Sequence, residues 1–94
     1  KTRTKSGDIN AQFLAEADQS TRELFESLRQ WRLGVTRESG KPAFTVVADA
    51  TLRDVATAKP RTLRQLGALR GIGAVKLEAY GTPILRIVKD YLPG

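Results

Sequence analysis

Apolar residues recur at helical spacing along most of this chain. Between Ser20 and about Glu38, Leu24, Phe25, Leu28, Trp31 and Val35 fall within one arc at 100° per residue, while Arg22, Arg29, Arg32 and Arg37 gather opposite. Ser20-Thr21-Arg22-Glu23 has the form of a capping box, with Ser20 as N-cap, and Gly40 and Pro42 supply the stop. Leu33 falls among the arginines, so it is either exposed or in contact with something outside this helix. Thr45-Val46-Val47-Ala48 is a β-branched run too short to imply a sheet, and is expected to be extended or a single helical turn. Asp49 is placed to cap a second helix whose Leu52, Val55 and Ala56 share a side and which ends before Pro60. Thr62 and Gln65 repeat the capping-box spacing and start a third helix, which runs to about Leu69. After Gly71-Ile72-Gly73 a fourth helix is expected from Ala74 to Tyr80, stopped by Gly81. Thr82 as N-cap and Pro83 at the first helical position then open the last, with Ile84, Leu85, Val88, Tyr91 and Leu92 as its apolar stripe. The pattern predicts an all-α protein, a compact bundle of about five short helices.

Residues 1–19 differ from the rest. Lys1 to Gly7 is polar and carries +3, and residues 8–19 carry −3 from Asp8, Glu16 and Asp18 around a short apolar stretch at Phe13, Leu14 and Ala15. This organisation predicts a linker and N-terminal docking segment over 1–19 and a helical domain over 20–94. The chain begins at Lys1, not Met, and is expected to be a piece of a longer protein.

At 94 residues and 10.3 kDa the chain has room for one small domain, with a thin core and no deep substrate pocket. It has no Cys and no His. The familiar zinc constellations and His-dependent nucleophilic catalysis are therefore absent. Glu23 with Glu26, and Asp49 with Asp54, are the nearest things to paired carboxylates. Capping explains Glu23 and Asp49, pairing with Arg22 or Arg29 explains Glu26, and solvation explains Asp54. No catalytic residue and no metal site is expected. No apolar run approaches the roughly 20 residues needed to span a bilayer, so an intracellular soluble module is expected, without a membrane partner and monomeric in isolation. The net charge of +6 and pI near 10.2 favour an anionic partner such as nucleic acid. Sequence-specific reading is not expected, because no helix carries Asn, Gln and Arg in a recognition arrangement.

The most distinctive local feature is Leu66-Gly67-Ala68-Leu69-Arg70-Gly71-Ile72-Gly73-Ala74-Val75-Lys76-Leu77, a helix, a Gly-x-Gly turn and a helix. It resembles a helix-hairpin-helix turn, in which glycines let backbone N–H groups approach a phosphate without Cβ obstruction. The same glycines also suit a tight helix crossing with Ile72 in the core, and both readings stand at this point.

A wider set of residues comes in order: Leu24-Phe25-Glu26-Ser27-Leu28-Arg29-Gln30-Trp31-Arg32, Pro42, Val46-Val47, Asp49-Ala50-Thr51-Leu52, Gly71-Ile72-Gly73, Lys76-Leu77-Glu78 and Tyr80-Gly81. Over residues 20–92 the chain resembles the HRDC (helicase and RNase D C-terminal) domain, and Val46 to Leu52 with Lys76 to Gly81 looks most like copies in RecQ-type DNA helicases. The resemblance implies an auxiliary nucleic-acid-binding module. Its partners would be single-stranded or branched DNA and the other domains of a 3′–5′ helicase used in repair and recombination, in the cytoplasm, nucleoid or nucleus according to host. It implies no cofactor in the domain itself, with ATP and Mg²⁺ belonging to the host. In RecQ-type relatives an aromatic residue, usually Tyr, follows the Pro-containing loop. Phe44 stands there, able to stack on a base or to plug the core. The candidate DNA-binding residues are Arg22, Arg29, Arg32, Lys41, Phe44, Arg61, Arg64, Arg70, Gly71, Gly73 and Lys76, each cation being equally open to plain solvation. Two alternatives compete: a regulatory domain docking on the helicase core or a partner, and an RNA-binding accessory of an RNase D-type exonuclease.

Overall fold

The computed structural model describes residues 6–92. Within them the chain forms six helical segments: α1 (Ser6–Glu16), α2 (Gln19–Ser39), α3 (Ala43–Val46), α4 (Asp49–Ala58), α5 (Leu63–Gly67) and α6 (Ala74–Lys89). The expected all-α class is met. α2 packs chiefly on α4 and α5 on α6, with α3 and α6 also lying against α2. The core they share consists of Leu24, Phe25, Leu28, Val46, Val47, Leu52, Val55, Ala56, Leu66, Ile72, Ile84 and Val88.

Local chemistry sets each boundary, and several differ from expectation. Asp18, not Ser20, caps α2, its carboxylate accepting from the Thr21 amide at 2.9 Å, so the helix starts earlier than the capping-box pattern indicates. Hydrogen bonding from the Thr21 side chain, and after it from this Thr21 amide, holds the Asp18 carboxyl below its ordinary value. At the other end Gly40 adopts a left-handed φ of 77° and its N–H closes on the Thr36 carbonyl. The Thr45–Ala48 run divides: Thr45 and Val46 close the helical turn α3, Val47 and Ala48 are extended, and Val46 and Val47 are fully buried in the core. α5 begins as its sequence indicates, with Thr62 Oγ1 accepting from the Gln65 amide at 3.1 Å. The Gln65 side chain reaches back to the Arg61 amide at 2.7 Å.

Two expected helices are one. α6 continues through Gly81, Thr82 and Pro83 because its buried stripe, Gly81, Ile84 and Val88, does not break there. Gly81 is buried, and a Cβ on it would come within 2.8 Å of Leu63 Cδ2 and 3.2 Å of Leu77 Cδ1. This glycine provides close approach between α5 and α6; it does not cap a helix.

The stretch expected to link and dock is helical over Ser6–Glu16 and lies against α4. Phe13 meets Phe25 with ring centroids 5.3 Å apart, a tilted aromatic pair that seats this end of α1 on the core. Arg22 donates to the carbonyls of Leu14 (3.3 Å) and Ala17 (2.8 Å), satisfying acceptors at the end of α1.

Candidate nucleic-acid interface

The segment Leu69–Gly73 joins α5 to α6, and three groups shape it. Ile72 is buried and anchors the turn from below, as one of the two sequence readings required. Gly71 has φ 91°, and a Cβ there would sit 2.1 Å from Thr51 Oγ1. No L side chain fits. Thr51, itself buried on α4, donates to the Arg70 carbonyl at 3.3 Å and so ties the turn to the domain. Within the Asp-Ala-Thr-Leu run, the sequence marks Thr51 only as part of a family signature. Its structural role is this contact, which no spacing rule discloses.

Gly73 is different in kind. It is the N-cap of α6 in extended backbone, φ −90° and ψ −178°, and nothing lies within 4 Å of where a Cβ would be. Packing does not require a glycine there. No side chain caps α6, so the first-turn amides of Ala74, Val75 and Lys76 face outward without an intrahelical acceptor. Val75, 80% exposed, stands beside them, with Arg70 exposed before the turn and Lys76 half-buried after it. Backbone donors, the positive end of a 16-residue helix and two cations thus share one end of the molecule.

The other expected cations divide. Arg32 belongs to the interior: it is 9% exposed, donates to the Val47 carbonyl at 2.7 Å and pairs with Asp49 at 2.7 Å. Its place among the DNA-binding candidates is thereby corrected, since its guanidinium is buried and already engaged by Val47 and Asp49. The helical-wheel reading failed because α3 and the start of α4 fold over that side of α2. Asp49 is corrected likewise: Ala48 is the N-cap position of α4, and the Asp49 carboxylate instead accepts from Arg32 and from Asn10 Nδ2 (3.1 Å). Burial alone would raise its pKa, but the bonds from Arg32 and Asn10 outweigh burial and leave it below the ordinary value. Arg53 donates to Asn10 Oδ1, extending the network to α1.

Arg29 is exposed, pairs with Glu26 at 3.0 Å as the sequence indicated, and lies 5.8 Å from the Phe25 ring centroid. Arg22 is exposed but turned to the end of α1, and Lys41 is exposed on the loop before α3. Phe44 belongs to the α3 backbone, and its side chain lies outside the described part of the structure. Arg61 and Arg64 are exposed at the start of α5. Arg70, Gly71, Gly73 and Lys76 thus lie at one turn, whereas Arg22 and Arg29 lie on α2 and Lys41 on the loop that follows it. The structure also presents Arg86 and Lys89 beside Arg61, a cluster visible in the sequence only as two cations flanking the last apolar stripe.

Among the described residues no cluster of three or more His, Cys, Asp or Glu could hold a metal ion, and no helix is long and apolar enough to cross a membrane.

Helices α2 to α6, closed around one core and carrying a Gly-x-Gly turn at the head of the last helix, define a class of small helical accessory modules. The HRDC domain model matches residues 21–88, and the chain belongs to the HRDC domain family. It is 42% identical over 67 residues to the ATP-dependent DNA helicase UvrD2 of Mycobacterium tuberculosis, a match covering 71% of this chain and 10% of that protein. It is 33% identical over 73 residues to the ATP-dependent DNA helicase RecQ of Pasteurella multocida, covering 78% of this chain and 12% of the relative. The chain thus spans about a tenth of the length of these relatives. Among solved structures it is similar to D. radiodurans RecQ HRDC domain 3, with a TM-score of 0.74 and 39% identity over 79% of this chain and 97% of that one. UvrD2 is a helicase type beyond the RecQ-type and RNase D-type hosts to which the sequence motifs point.

Proposed function

We propose that this chain is a non-catalytic accessory module of an ATP-dependent DNA helicase, of RecQ or UvrD2 type, that binds single-stranded or branched DNA and tunes which substrates its host engages. ATP and Mg²⁺ would be bound by the host's motor domains. One observation carries the reading: the uncapped start of α6, where Gly73 leaves the amides open and Arg70 and Lys76 flank them. A phosphate seated there would accept from backbone N–H groups at a positive helix end, a site that needs no base recognition. Exposed Arg64 and Lys41 extend the positive surface. Binding of this kind is weak, insensitive to sequence and sensitive to salt.

Fluorescence anisotropy of the 94-residue chain with labelled single-stranded, duplex and forked DNA tests this. With about three phosphate contacts on a single strand, at ~0.7 each in the log–log slope, affinity should fall roughly 20-fold between 50 and 200 mM salt. Absence of binding at 50 mM would reject direct contact in favour of the second reading, regulatory docking on the host or a partner. The second reading draws support from Leu33, 41% exposed on α2 beside Glu26, Arg29 and Ala43.

A further inference from the structure

The C-terminal half of α6 and the segment entering α5 enclose a trough of about 580 Å³. Pro60, Leu63, Leu85 and Leu92 supply its aliphatic surface, and Arg61, Arg86 and Lys89 its rim. Leu63 is 46% exposed, a large apolar side chain held open to solvent although α5 as a whole packs tightly on α6. Thr82, Leu85, Arg86 and Lys89 recur at i, i+3, i+4 and i+7, so one side of α6 presents the apolar and the cationic positions together, with Leu92 lining the trough just past the helix end. Among the described residues no carboxylate lines the trough.

We infer that this trough is a docking site for an acidic peptide segment carrying aliphatic or aromatic anchor residues on a partner protein. An exposed aliphatic floor gains by covering apolar side chains, and three cations without a counter-charge complement flanking Asp and Glu. Nucleic acid fits less well: the lining has no aromatic ring on which a base would stack, and its floor is aliphatic. The site is separate from the proposed DNA-binding turn, since Gly73 and Arg86 are thirteen residues apart on one helix, ~20 Å along its axis.

The test uses the full 94-residue chain and three fluorescent probes: a twelve-residue peptide of Asp and Glu with Leu and Phe at three positions, the same peptide with Ala at those positions, and a fifteen-residue oligothymidylate. The anchored peptide should bind at least tenfold more tightly than its Ala counterpart and should shift the amide resonances of Leu63, Leu85 and Arg86. Arg86→Glu with Lys89→Glu, both exposed and outside the DNA-binding set, should lower peptide affinity at least tenfold and leave oligothymidylate affinity within twofold. Leu63→Ser should weaken the anchored peptide alone. Equal affinity for the two peptides, no peptide binding at low salt, or oligothymidylate shifting the trough amides as strongly as the peptide would each overturn the proposal. Failure here leaves the DNA-binding turn to be judged by its own titration.

Discussion

At the scale of single residues, two glycines two positions apart do different work. Gly71 is required by a positive φ and by Thr51, so Gly71→Ala should cost about 2–3 kcal/mol of stability, measured by denaturant unfolding. Gly73→Ala should cost under about 1 kcal/mol, because its backbone is ordinary and its surroundings are empty. The sequence marks both as turn glycines, and nothing local tells them apart; the difference comes from Thr51, twenty residues away. Arg32 and Asp49 teach a related lesson. Helical periodicity put Arg32 on a basic face, which was correct for the isolated helix and wrong once α3 and the head of α4 covered it. Arg32→Ala should destabilise by about 2–3 kcal/mol, below the full cost of breaking a buried pair because Asp49 keeps some solvent. Since the folded Asp49 carboxyl lies below its ordinary value, its contribution is present at neutral pH and is lost as pH falls below about 4 toward the folded value. Asp49→Asn should therefore flatten the acid limb of the stability curve, and an unchanged limb would show that the pair contributes little.

Among the helical elements, the long amphipathic stretch of α2, the capped start of α5 and the interruption at Gly71-Ile72-Gly73 were legible from spacing alone. The boundaries that were not legible depend on tertiary packing. Gly81-Thr82-Pro83 carries every local signal of a helix end followed by a helix start, yet α6 runs through it because Gly81, Ile84 and Val88 form an unbroken buried stripe against its neighbours. α1 was hidden for the opposite reason: its anchors, Phe13 and Asn10, find partners in Phe25 and Asp49 that no pattern within residues 6–16 indicates. Phe13→Ala should lower stability by about 1–2 kcal/mol, less than a fully buried phenylalanine, since Phe13 is only half-buried. The helical signal of α2 to α6 should persist in far-ultraviolet circular dichroism, because the core residues lie on those helices and on the turns joining them.

Over the whole molecule, 16 Lys and Arg outnumber 10 Asp and Glu, and the cations differ in what they do. One cation is internal, one closes the end of a neighbouring helix, two flank an open helix start, and three rim an aliphatic trough. Net charge indicated an anionic partner without saying where it would bind; burial and hydrogen bonding separate the surfaces. Family membership was legible from ordered motifs, whereas the candidate site required knowing which glycine is structurally idle. The most direct test of the DNA-binding account is a parallel titration of the unaltered chain and Gly73→Ala with one labelled single strand at 50 mM salt, alongside their melting temperatures. An added Cβ at the mouth of the turn should weaken binding about tenfold, equivalent to ~1.4 kcal/mol, while the melting temperature moves by no more than a few degrees. Equal affinities for the two chains would contradict the claim that the open start of α6 receives the phosphate.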